Sequence, residues 1–115
     1  MKIRIAAVGN VSVVFIEGNI LQEDVLVLRK ELLDLVEDGK VNIVLDMISS
    51  NYISSMCLAT IADVKKKVND LGGNLKLAEP NELIRNLLEE TNFIQIIETF
   101  DNVDAAVKSF KSPNK

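Results

Sequence analysis

The feature that most constrains the fold is a repeated change of hydrophobic period along the chain. Alternating or continuous apolar runs, typical of strands, are followed by stretches in which apolar residues recur every three or four positions, typical of helices. A helix between two strands packs back on their sheet and makes those strands parallel. The sequence therefore predicts an α/β domain, with a mixed, mainly parallel sheet of about five strands and four helices packed against it.

The chain begins with two strands and a helix. Lys2 to Val8 and Ser12 to Ile16 flank the turn pair Gly9-Asn10, which predicts a hairpin. A helix is predicted next, ending at Gly39, because an apolar stripe follows the hairpin. The members of this stripe are Leu21, Val25, Leu28, Leu32 and Leu35.

The rest of the chain continues the alternation. Val41 to Met47 is a nearly continuous apolar run, as expected of a strand covered on both faces. The elements predicted after it are a helix from about Ser55 to Leu71, a strand from Asn74 to Ala78, a helix from Pro80 to about Thr91, a strand from Ile96 to Phe100, and a last helix that Asp101 caps. The stripe predicted for the helix after Ser55 contains Leu58, Ile61, Lys65, Val68 and Leu71. We expect one domain over residues 1–110 and a short disordered tail over residues 111–115, which is polar and interrupted by proline.

The composition excludes several kinds of chemistry. The 115 residues include no histidine, which removes serine and cysteine catalysis of the usual kind and the common zinc and haem ligand sets. A single cysteine forms no internal disulfide, and 13 basic against 17 acidic side chains argue against nucleic acid binding. Charges also interrupt every apolar run well short of a membrane span. We expect a cytoplasmic protein without metal or cofactor, with no nucleic acid partner and no direct membrane insertion.

Hydroxyl groups collect where the central strand ends. In open α/β sheets, sites lie beyond the carboxyl ends of parallel strands. The segment after Val41 to Met47 leads into the predicted second helix, and Ser54 and Ser55 fall at the start of that helix. A serine there can cap the helix by accepting a backbone N–H bond, or it can be a phosphorylation site, since free N–H groups and the helix dipole favour a phosphate. Both interpretations can hold together.

A set of motifs extends along nearly the whole chain. The central ones are an apolar strand ending in Leu45-Asp46, the segment Tyr52-Ile53 through Leu58, and Gly72-Gly73 before a strand. These motifs resemble those of the STAS family, the bacterial anti-sigma factor antagonists. Val14 to Ile20 is similar to the family's Gly-Glu-Leu-Asp strand end. Downstream, the similar segments are Ile84 to Leu88, Thr91-Asn92-Phe93 and Asn102 to Val107.

The resemblance implies a function without catalysis. Such a protein binds an anti-sigma factor that is a GHKL-type serine kinase and thereby releases a sigma factor for transcription. Phosphorylation of one serine ends the binding, and a PP2C-type phosphatase restores it. Aligning Tyr52-Ile53 and Leu58 with the family pattern places that serine at Ser55, with Ser54 as the less favoured choice.

The resemblance also implies a partner-binding surface and shows where this chain departs from the pattern. The residues expected on that surface are Asn19, Leu21, Ser54, Ser55, Met56 and Cys57. Leu21 and Ser54 stand where the family has aspartate, Met56 replaces a second serine, and Cys57 replaces a glycine. A STAS module that binds without being switched is therefore the alternative, for example a cytoplasmic subunit of a lipid or anion transport assembly.

Three other features have a functional and a structural interpretation. Cys57 at a helix start can have a lowered thiol pKa, or it can be a buried or interface thiol. Lys65-Lys66-Lys67 can be an anion patch or a solvated face, and helical geometry places the run roughly 15 Å from Ser55. Asp46 can accept a phosphoryl group, or it can fix the loop that follows its strand. For each we favour the structural interpretation, so a small enzyme is the least supported class.

Overall fold

Between residues 1 and 110, which the computed structural model describes, the chain forms five strands and four α-helices. The strands are β1 (Lys2–Val8), β2 (Val11–Glu17), β3 (Asn42–Ser49), β4 (Asn74–Ala78) and β5 (Thr99–Phe100). The helices are α1 (Val25–Glu37), α2 (Ser55–Asp70), α3 (Glu82–Glu90) and α4 (Val103–Lys108), with 3₁₀ turns at Gln22–Asp24 and Phe93–Gln95. The predicted order of elements is confirmed. The tail predicted over residues 111–115 lies outside the described residues.

The strands form one sheet in the order β1-β2-β3-β4-β5. β1 and β2 pair antiparallel as the predicted hairpin, and their turn uses Gly9 in the left-handed conformation (φ 63°), which favours glycine. The other three pairings are parallel. The predicted mixed, mainly parallel sheet is confirmed.

Helices cover the two faces of the sheet unequally. Residues of α1, α2 and α3 form the main core with one face, where Leu28, Ile61 and Ile84 pack with Leu45 of β3. α4 packs on the other face through Ala106, in a smaller cluster with β2 and β3. Because side chains alternate along a strand, β3 contributes to both cores and is buried on both sides, as its apolar run predicted.

Three members of the predicted helix stripes are not in the core. Leu21 is exposed because the 3₁₀ turn ends three residues after it and α1 begins only at Val25. In α2, Val64 is buried where the prediction had Lys65, and Lys65 instead donates to the side chain of Asn74 (2.7 Å). Leu71 lies beyond the last helical residue and is also exposed.

The predictions for the end of the domain need two corrections. The last strand contains only Thr99–Phe100, because a 3₁₀ turn occupies Phe93–Gln95 and only two residues pair with β4. Asp101 does not cap α4. The side chain of Asn102 does so, by accepting a hydrogen bond from the N–H of Ala105 (2.7 Å). Among the described residues, no helix is both long and apolar enough to cross a membrane.

Candidate functional site

Three loops meet at the carboxyl edge of β2, β3 and β4. The buried Ser50, after β3, donates through its hydroxyl to the carbonyl oxygen of Gly18 (2.9 Å), after β2. An isolated parallel bridge joins Ile20 to Ile53, and the N–H of Ser54 donates to the carbonyl of Ile20 (3.0 Å). The start of α2 is therefore held against the loop that leads to α1.

Three asparagines extend this connection to α3. The Oδ1 atom of Asn19 accepts from the N–H of Asn51 (3.3 Å), and the Oδ1 atom of Asn51 accepts from Nδ2 of Asn81 (3.1 Å). Asn81 also caps α3, because its Oδ1 atom accepts from the N–H of Ile84 (2.9 Å). Sequence analysis included Asn19 but missed Asn51 and Asn81. The pair Pro80-Asn81 before an amphipathic segment is a capping signal that could have identified Asn81.

The two serines at the start of α2 have different environments. Ser54 is the N-cap, only 8% exposed, and its hydroxyl oxygen accepts from the N–H of Cys57 (3.2 Å). The predicted capping role is thus confirmed for Ser54. Ser55 is exposed, and its hydroxyl makes no hydrogen bond to any described residue. No acidic residue occupies the first turn of α2.

Apolar side chains are exposed around Ser55. Leu21 stands at the start of the neighbouring 3₁₀ turn, Tyr52 precedes the helix and Met56 follows the serine. The exposed fractions are 41% for Leu21, 51% for Tyr52 and 52% for Met56. Exposed large apolar side chains close to one another are typical of protein interaction sites, whose centre is apolar and whose rim is polar. We call Leu21, Tyr52 and Met56 the apolar ring.

Cys57 belongs to the core and not to this surface. Its side chain is fully buried, and burial raises the pKa of the thiol to about 12. The prediction of a buried thiol is confirmed, and a lowered thiol pKa is wrong. Ser54 and Cys57 therefore have no side chain free for a partner, whereas Asn19, Leu21, Ser55 and Met56 are exposed.

Asp46 lies on the face of the sheet that α4 packs on, opposite to the face covered by α1, α2 and α3. Its carboxylate accepts a hydrogen bond from the N–H of Ile48 (3.2 Å), and burial raises its pKa. The same face carries an open cavity of about 640 Å³ whose lining includes Asp46, Phe15 and Arg4, with the Arg4 guanidinium 4.4 Å from the Phe15 ring centre. The bond to Ile48 matches the loop-fixing role predicted for Asp46. Within residues 1–110 no group of acidic and cysteine side chains could hold a metal ion.

The lysine run on α2 is mostly solvated. Lys66 and Lys67 are exposed, and Lys66 pairs only loosely with Asp70 (3.9 Å). Lys65 contacts Asn74, as described above. This arrangement agrees with the solvated face that sequence analysis favoured.

Comparisons with known proteins agree with the fold. A candidate anti-sigma factor antagonist of Bordetella bronchiseptica, BtrV, is 27% identical over 112 residues, which cover 97% of each chain. The crystal structure of a candidate anti-sigma factor antagonist from Thermotoga maritima superposes with a TM-score of 0.90 at 22% identity, covering 96% of this chain and 95% of that one. The Bacillus cell fate determinant SpoIIAA in its phosphorylated form shares the fold with a TM-score of 0.74 at 12% identity, covering 96% of this chain and 100% of that one. The STAS domain model itself matches residues 2–106, which is nearly every residue of the sheet and helices described above, and this chain therefore belongs to the STAS domain family.

Proposed function

We propose that this protein is an anti-sigma factor antagonist of the cytoplasm that is switched by phosphorylation of Ser55. The observation that carries the proposal is the division of roles between adjacent serines. Ser54 is buried and caps α2, while the hydroxyl of Ser55 is exposed in the first turn and free of other described residues. A kinase can therefore modify Ser55 without removing the helix cap.

A phosphate on Ser55 would stabilise the start of α2 but weaken the complex with a partner. The first N–H groups of a helix and its dipole stabilise an anion, and no carboxylate of the first turn competes with it. A partner that covers the apolar ring would instead enclose a dianion among Leu21, Tyr52 and Met56. Such a complex would remove water from the phosphate without providing hydrogen bonds or ion pairs in its place. This unfavourable desolvation would weaken the complex.

The partner implied by the family resemblance is an anti-sigma factor that is itself a GHKL-type serine kinase. Binding of the unmodified protein would occupy this anti-sigma factor and release its sigma factor, and a PP2C-type phosphatase would reverse the modification. In this mechanism the protein is the substrate of both enzymes and has no catalytic activity of its own. The Bordetella relative, which is named as an antagonist and covered over 97% of its length, supports this role.

A binding module that is never phosphorylated is the second candidate. The altered turn favours it, because Leu21 and Ser54 replace the two aspartates of the family pattern and Cys57 replaces its glycine. Such a module would still use the exposed residues around Ser55 to bind a partner, for instance in a lipid or anion transport assembly.

A phosphorylation assay separates the two candidates. The protein is incubated with ATP and the purified anti-sigma factor kinase encoded beside its gene, and the intact mass is measured. We expect a gain of one phosphate in the wild type and none in Ser55→Ala. Ser54→Asn is the matched control, because asparagine retains a cap acceptor but has no hydroxyl, and it should still be modified.

The outcomes that contradict the switch are specific. A wild-type protein that binds the kinase but gains no phosphate supports the second candidate. A mass gain that persists in Ser55→Ala and disappears in Ser54→Asn would place the modified hydroxyl on Ser54 instead.

A further inference from the structure

The loops around Ser55 contain acidic residues but no basic ones. No lysine or arginine occurs in residues 17–28, 48–64 or 77–84, the segments that form the carboxyl edge of β2, β3 and β4. Two carboxylates of the 3₁₀ turn before α1 and two of the segment that leads from β4 into α3 form no ion pair with a described residue. They belong to Glu23, Asp24, Glu79 and Glu82. We call these four residues the acidic rim.

An apolar groove lies beside this rim, between α3 and the loop before α2. It measures about 350 Å³, and its walls include Tyr52, Leu83 and Leu87. Ile53 and Ile84 line its buried part, and among the described residues that line it only Glu90 is charged. We call it the α3 groove. The bond between Asn51 and Asn81 holds its two sides together, so the groove exists without a partner.

Leu83 is the exposed anchor point of the groove. It is 68% exposed on a helix whose buried contacts are made by Ile84 and Leu88. Leu83 therefore contributes little to the core. Tyr52 belongs both to the α3 groove and to the apolar ring, so the groove is continuous with the surface around Ser55.

We propose that the α3 groove receives an apolar side chain of the anti-sigma factor, carried on a segment whose basic residues face the acidic rim and not the apolar ring. This inference rests on the proposed function and adds the chemistry of the partner segment. The charge argument is direct, because a carboxylate-rich edge attracts a basic segment and repels an acidic one. The cations that follow these segments, Arg29 and Arg85, are paired with Asp63 and Asp101. The groove supplies the apolar contact that such a segment needs for a long-lived complex.

The two parts of the surface should affect different rate constants. Rim charges that stay hydrated mainly change the association rate and its dependence on salt. A side chain seated in the α3 groove mainly changes the dissociation rate, as buried anchors of interfaces do. The inference therefore predicts separate kinetic effects from neighbouring residues.

The test measures association and dissociation rates between the full chain and the purified anti-sigma factor kinase. Leu83→Ala should raise the dissociation rate about ten-fold, the size expected when an interface anchor is truncated. Leu71→Ala is the matched control, since Leu71 is a 60% exposed leucine at the C-terminal end of α2, the end opposite to Ser55. Its rates should equal those of the wild type. The double variant Glu23→Gln/Glu82→Gln should slow association at low salt and match the wild type at high salt.

Each outcome bears on the inference. The inference is overturned if Leu83→Ala dissociates at the wild-type rate. It is also overturned if the association rate of Glu23→Gln/Glu82→Gln is unchanged or faster. If the wild type binds and Ser55→Asp does not, but Leu83→Ala behaves as wild type, only the groove inference fails. If the wild type does not bind the anti-sigma factor, the proposed function and this inference fail together. Urea unfolding of Leu83→Ala should match the wild type, which separates a binding defect from a folding defect.

Discussion

A negative charge at position 55 should stabilise the fold while weakening the complex. In Ser55→Asp the carboxylate lies in the first turn of α2, which has no acidic residue of its own. A negative side chain near a helix N-terminus contributes about 0.3–1 kcal/mol at low ionic strength. Serine and aspartate differ little in intrinsic helix propensity, so the dipole interaction should decide the sign.

The neighbouring carboxylates reduce this gain. Glu23 and Asp24 belong to the 3₁₀ turn that contacts α2, and they repel a charge at position 55. We therefore expect the lower part of the range, about 0.3–0.5 kcal/mol. For a chain of this size that corresponds to an increase of roughly 1–2 °C in the midpoint temperature of unfolding.

Thermal or urea unfolding of Ser55→Asp and Ser55→Asn checks this expectation. The asparagine variant has nearly the same shape without the charge, so the difference between the two variants isolates the charge. The difference should shrink in 1 M salt, where the Debye length is about 3 Å. A Ser55→Asp protein less stable than Ser55→Asn at low salt would refute the reasoning, as would a difference that salt leaves unchanged. Binding to the anti-sigma factor should change in the opposite direction and be lost in Ser55→Asp.

Other predictions concern the interior. Burial raises the pKa of the Asp46 carboxyl above its ordinary value of 3.8, so the folded state binds this proton more tightly than the unfolded state does. The free energy of unfolding should therefore fall as pH rises from about 3.8 through the folded pKa. Asp46→Asn should remove this part of the pH dependence, measured as the midpoint of urea unfolding. The Cys57 thiol, buried and with its pKa raised to about 12, should resist iodoacetamide at neutral pH until the protein is unfolded, and fast labelling of native protein in a mass assay would contradict this. In Gly73→Ala the new Cβ would overlap the carbonyl of Val41, so urea unfolding should show a loss of more than about 3 kcal/mol. In Gly9→Ala the new Cβ meets nothing within 4 Å, so only the positive φ should lower the free energy of unfolding, by about 1 kcal/mol. Equal losses for the two glycine variants would be evidence against the steric explanation.

Much of the fold could be predicted because its signals are local. Strand and helix periods depend on neighbouring residues, and β4 was predicted with the bounds Asn74–Ala78 that the structure shows. The errors occurred where local signals compete. Asp101 and Asn102 are both good caps, and only the path of the chain after β5 decides that Asn102 makes the bond. Ile96 looks like a strand residue, but the turn at Phe93–Gln95 leaves it outside the ladder with β4.

The sequence alone determined the α/β class and a pair of serines at the start of α2, and it predicted the carboxyl edge after β3 as the place of the site. Tertiary structure decided the environment of each serine. It turned Ser54 into the buried cap and left Ser55 exposed. It also put Cys57 into the core and joined Asn51 to Asn81 across thirty residues of sequence. The physical reason is that a period identifies the face of one element, whereas exposure and hydrogen bonding at a loop depend on which distant segments pack against it.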